Sequence, residues 1–168
     1  TMLLRNGLGA VHCIGTVLLL IGLVLHIVGI GTPSWSVSSP TVRGLWKQCN
    51  DIQCATWTED SLPHEMRVAR AFAIIAMLIA LITFGFTVTQ FIVPDLDAAK
   101  KKIFNYIILA ETITVLAFIV ISTACYGAVH NKWSANFDIG YSLILSVVGG
   151  ILFFAGGFVF VFASRKEV

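Results

Sequence analysis

Charge is scarce in this chain. Only 12% of its 168 residues are Asp, Glu, Lys or Arg, and the net charge is +2. A soluble domain carries about 25%, so the surface cannot face water over most of its area. The near balance of signs gives no case for nucleic acid as a partner. Chemistry-bearing motifs are missing too. There is no Cys-x-x-Cys for thiol redox work, no glycine-rich phosphate loop and no nucleophile elbow. His64-Glu65-Met66-Arg67-Val68 opens like the zinc-protease helix, but the second histidine is absent. No enzyme, cofactor, metal or small-molecule substrate is expected. Repeats and low-complexity tracts are also absent.

What the chain has is apolar length. It is 57% apolar, with a mean hydropathy of +0.89. A bilayer core ~30 Å thick takes about 20 apolar residues of helix to cross. Four stretches qualify, at about 10–30, 69–93, 103–129 and 139–162. They predict one multi-pass domain over 1–168, with loops at 31–68 and 130–138 and the lipid bilayer as first partner. The first stretch is too long for the apolar part of a signal peptide.

An even number of spans puts both termini on one side. Lys and Arg divide almost equally between the two sides, so the positive-inside rule decides weakly. Cys49 and Cys54 decide more. They flank Asn50-Asp51-Ile52-Gln53, a stretch suited to a hairpin turn. Cysteines facing each other on neighbouring strands suit a disulfide, which persists outside the cytosol. The other reading is two free thiols. Structural zinc would need four ligands where this spacing offers two. The disulfide reading makes the long loop extracellular, both termini cytoplasmic and the plasma membrane the expected site. Lys100–Lys102, on the cytoplasmic side, read as part of a solvated turn touching anionic headgroups.

Lipid tails give apolar helices no hydrophobic reason to associate, so small residues must permit close packing. Gly15, Gly22 and Gly29 lie at seven-residue intervals in the first span, as do Ser142, Gly149 and Gly156 in the fourth. Ser146, Gly150 and Gly157 run beside the latter, and Ala69, Ala73 and Ala80 serve the second span. Such spacing suits contacts within a left-handed bundle. Glu111 lies inside the third span, where a carboxyl is expensive. It reads either as an ion, proton or lipid site or, preferably, as a hydrogen-bonded lock to Thr83 or Thr87. His26 and His12 lie at other depths. Cys13, near the cytoplasmic boundary, reads as a packed thiol or an acylation site, and Cys125 as a packed thiol.

Trp35, then Gly44-Leu45-Trp46, then Cys49 and Cys54 resemble the first-loop signature of the claudin superfamily. That superfamily includes the peripheral myelin and epithelial membrane proteins and the auxiliary gamma subunits of calcium channels and glutamate receptors. Val68-Ala69-Arg70-Ala71-Phe72 resembles the entry to the claudin second span, and Gly140-Tyr141-Ser142 the start of the last. The cysteine gap and the Trp35–Trp46 stretch are shorter than in a claudin, the latter closer to the peripheral myelin branch. The resemblance implies a membrane α fold: a four-transmembrane-helix left-handed bundle under a small extracellular antiparallel β-sheet. Its strands would be about Trp35–Ser38, Val42–Cys49 and Cys54–Thr58. Trp35, Gly44, Leu45, Trp46 and Arg70 would have structural roles, anchoring the sheet to the helices.

The function so implied is non-catalytic: contacts at cell borders or within one membrane, with copies of itself or other membrane proteins. Candidate contact residues are Val37, Val42, Arg43, Lys47, Ile52 and Trp57, with Trp133 and Phe137 of the second loop. The same resemblance implies an alternative, an auxiliary subunit that alters gating or trafficking of an ion channel or receptor.

Overall fold

The computed structural model describes residues 2–58, 60, 62–93, 97–133 and 138–165. Its helices are α1 (Met2–Gly31), α2 (His64–Ile92), α3 (Ala98–Trp133) and α4 (Tyr141–Arg165). Each holds a run long and apolar enough to cross a membrane: Ala10–Gly31, His64–Gln90, Ala99–Lys132 and Tyr141–Phe162. Many large apolar side chains point outward, among them Ile14, Leu20, Leu78, Ile113 and Ile151. That is the pattern of helices solvated by lipid. Between α1 and α2 run β1 (Ser36–Ser38), β2 (Thr41–Arg43), β3 (Lys47–Cys49) and β4 (Cys54–Thr56). A fifth strand, β5 (Asp138–Ile139), precedes α4. All pairings are antiparallel, in the order β4-β3-β2-β1-β5.

Several boundaries differ from the sequence reading. The expected strand Val42–Cys49 is two strands, because the chain turns at Gly44, whose N–H donates to the Lys47 carbonyl at 2.9 Å. A Cβ on Gly44 would lie 2.5 Å from Pro33 Cα, so the turn presses on the segment leaving α1. Residue 139 belongs to β5 rather than to the fourth span, since Ile139 pairs with Ser36. Helices also outrun their apolar stretches, as polar residues can continue a helix beyond the hydrocarbon. The 36 residues of α3 span about 54 Å at 1.5 Å per residue. Cys125 is half-buried, but Cys13 is exposed on α1 rather than packed. Lys100 is exposed and lies 3.3 Å from Asp97.

The glycine stripes meet each other. A Cβ on Gly22 would stand 2.6 Å from the Gly149 carbonyl oxygen, and one on Gly149 would stand 2.7 Å from that of Gly22. Gly15 meets Gly156 in the same way, and Gly29 meets Ser142. Heptad spacing on both helices therefore lets the backbones of α1 and α4 touch at successive levels. The parallel stripe on α4 divides: Ser146 also meets Gly29 of α1, while Gly150 faces Ile119 and Gly157 faces Thr112, both on α3. Ala69, Ala73, Ala76 and Ala80 are buried on α2, and Ser122 of α3 donates to the Ala69 carbonyl at 2.8 Å.

His26 joins three helices. Its Nε2 lies 3.2 Å from the Ala73 carbonyl of α2, and its Nδ1 lies 2.9 Å from Ser146 Oγ of α4. A carbonyl only accepts, so Nε2 carries the hydrogen.

Candidate functional site: the anchored sheet

The sheet is built onto the end of α1. The last carbonyls of a helix have no partner within it, and near a membrane water cannot be relied on to fill them. Here the chain leaving α1 returns to do so. Thr32 donates both its N–H and its hydroxyl to the Val28 carbonyl, at 3.1 and 2.7 Å. The Trp35 indole donates to Gly29 O and the Trp46 indole to Ile30 O, each at 2.7 Å. Two signature tryptophans are thus the C-terminal cap of α1 as well as apolar mass. Ser142 closes the neighbouring end of α4: its N–H donates to Ser34 O at 3.0 Å, and its Oγ accepts from the Ser34 N–H and donates to Thr32 Oγ1, whose own hydrogen goes to Val28 O.

Leu45 and Trp35 are fully buried, in a cluster with Met66, Ala69, Ala73 and Tyr126. Arg70 of α2 grips the same turn. Its Nε donates to Leu45 O at 2.7 Å, and its guanidinium lies 5.1 Å from the centre of the Trp46 ring. From α3, the Tyr126 hydroxyl reaches Ser36 Oγ at 3.0 Å and Arg43 O at 3.1 Å, and Ser36 Oγ lies 2.7 Å from His130 Nδ1. Each helix therefore holds the sheet by a named polar contact. A lysine has no planar fork to stack and no Nε donor at that reach. Arg70→Lys is expected to cost about 1–2 kcal/mol, read as a lower unfolding midpoint in mild detergent with helix content unchanged.

The face away from the helices is different in kind. Cys49 and Cys54 stand opposite each other in β3 and β4 and form a disulfide. The Asn50 side chain closes the turn between them, its Oδ1 accepting from Ile52 N and Gln53 N at 3.2 and 2.8 Å. Ile52 at the tip is 91% exposed. A shallow open groove runs beside it, lined by Gln48, Asn50, Gln53, Ala55, Thr56 and Trp57.

The other expected contact residues, Val37, Val42, Arg43, Lys47 and Trp57, are half-buried. Arg43 donates to Gln48 Oε1 at 3.1 Å, and Trp57 to Gly44 O at 3.1 Å. Partial burial draws the Arg43 guanidinium below its ordinary value, with Tyr126 acting in the other direction. It remains charged. Phe137 and the Trp133 side chain lie outside the described residues.

Glu111 is apart from the sheet, on α3. Thr83 Oγ1 of α2 lies 2.8 Å from its Oε2, while Thr87 bonds the Thr83 carbonyl instead. No group of three metal-ligating side chains occurs among the described residues. Residue-by-residue reading missed Ser36, His130, Thr32 and the hydrogen-bonding parts of Ser142 and His26. Small hydroxyls and single histidines carry no spacing signal.

Four membrane-spanning helices under a disulfide-braced antiparallel sheet, with indoles sealing the first helix, define a multi-pass membrane protein. The chain matches the family described as tight junction protein, claudin-like, over residues 5–168, and it belongs to that family. Comparison with curated proteins returns no match.

Proposed function

We propose that the protein is a non-catalytic contact protein of cell borders, in the plasma membrane with both termini cytoplasmic. The sheet stands outside the cell and touches another membrane protein, a copy of itself or a different one. The observation carrying this reading is the division within the sheet. One side is sealed onto three helices by Trp35, Trp46, Arg70 and Tyr126, while the braced tip offers Ile52 and an uncharged groove to solvent. A rigid base with an exposed isoleucine at its tip loses little entropy on docking. The Cys49–Cys54 bond supports the outward orientation, since disulfides persist outside the reducing cytosol.

Non-adherent cells expressing the protein should cluster. Cys49→Ser should abolish clustering while costing about 2 kcal/mol of stability, and Ile52→Asp should weaken clustering with the fold intact. Clustering unchanged in both variants would sink the reading. A stoichiometric pore-forming partner in the complex isolated from its native membrane would point instead to the auxiliary-subunit role.

A further inference from the structure

Glu111 stands twelve residues after Ala99, where the third span begins, or about 18 Å along the helix. A carboxyl group at that depth is costly unless its bonding capacity is filled. A carboxylate accepts at about four positions, and among the described residues the one hydroxyl in reach, Thr83 Oγ1 at 2.8 Å, has a single hydrogen that the Ile79 carbonyl at 2.9 Å competes for. Glu111 is only half-buried, at the edge of the seam between α2 and α3. Thr114, one turn on along the same flank, has turned its hydroxyl back to Ala110 O at 2.9 Å. Ala110 and Ala117 are exposed on the adjoining lipid-facing surface, so a neighbouring backbone can come close.

We propose that Glu111 is a lateral docking point for a transmembrane helix of a different protein, one carrying a lysine or arginine at matching depth. A cation fits better than a hydroxyl, because it offers several donors to the carboxyl oxygens at once. A second copy of this chain cannot supply it. In the described spans Lys and Arg stand only near the ends, at Arg67, Arg70, Lys100, Lys101, Lys102 and Lys132. The proposal needs nothing from the sheet, so clustering by Cys49→Ser cells neither supports nor weakens it.

The test uses the full chain in phosphatidylcholine vesicles, with two synthetic Leu/Ala transmembrane peptides, one bearing a central arginine and one a leucine there. Association is read by energy transfer. The arginine peptide should bind about fivefold more tightly or better. Glu111→Gln, which still can bond Thr83, should remove that preference, and Ala117→Phe should reduce it by obstructing approach. Equal binding of the two peptides, or a preference that survives in Glu111→Gln, overturns the proposal. Self-association without peptide that is lost in Glu111→Gln would assign the position to a second copy and overturn it as well.

Discussion

Gly22→Leu is expected to prevent α1 and α4 from closing and to leave most of the protein unable to form its bundle. A Cβ there would lie 2.5 Å from Phe153 N and 2.6 Å from Gly149 O. Both are backbone atoms in the middle of a helix, so neither can swing aside as a side chain could. The helices must separate at the level where their backbones touch, opening the contacts at Gly15 and Gly29 with them. Overpacking typically costs about 1–3 kcal/mol where side chains can yield, and here they cannot, so about 3 kcal/mol or more is expected. That is a large share of a total stability of about 5–15 kcal/mol. The fraction of protein recovered as a single dispersed species in mild detergent measures it.

Gly85→Ala is the matching control. Nothing lies within 4 Å of a Cβ at that position, and the change should be neutral or add up to about 1 kcal/mol through helix propensity. Equal recovery of Gly22→Leu and wild type would mean that α1 and α4 do not meet through these glycines.

Trp35→Ala should cost about 3–5 kcal/mol, and Trp35→Phe about 1–3 kcal/mol. The alanine variant empties a site with no exposed surface, among Leu45, Met66, Ala69 and Ala73. It also loses the edge contact with Tyr126, whose ring centre lies 4.9 Å away. The phenylalanine variant keeps an aromatic ring but leaves the Gly29 carbonyl without its indole donor, at the end of a helix where few other donors can reach. The ratio of the two effects separates bulk from capping. Unfolding midpoints measure both, and Trp35→Phe behaving as wild type would remove the capping role. Trp46→Phe should follow the same direction with a smaller loss, since that ring is only half-buried.

How much was legible follows from what kind of signal each feature leaves. Hydropathy is a local average, so the four apolar runs stood out before any contact was known. Heptad spacing marks a face of a helix, which is why the stripes of α1 and α4 could be read as packing surfaces. It does not say which helix each face meets: Gly149 turns to α1, while Gly150, its neighbour, turns to α3. Cys49 and Cys54 were legible as a pair because the turn between them is short. The expected strand Val42–Cys49 was divided by tertiary structure, through the approach of Gly44 to Pro33. A strand of two residues, Asp138–Ile139, leaves almost no pattern of its own, and pairing with Ser36 and Val37 defines it.

Taken alone, the sequence determined the class of protein: apolar runs of spanning length, small residues at seven-residue intervals, paired cysteines and spaced tryptophans are all properties of neighbouring residues. Tertiary structure decided which groups satisfy each other. His26 meets Ser146 across 120 positions, Tyr126 meets Arg43 across 83, and the Trp46 indole closes α1 from 16 residues away. Such bonds depend on the rotation and depth of whole helices, and those are set only when every helix has packed against its neighbours.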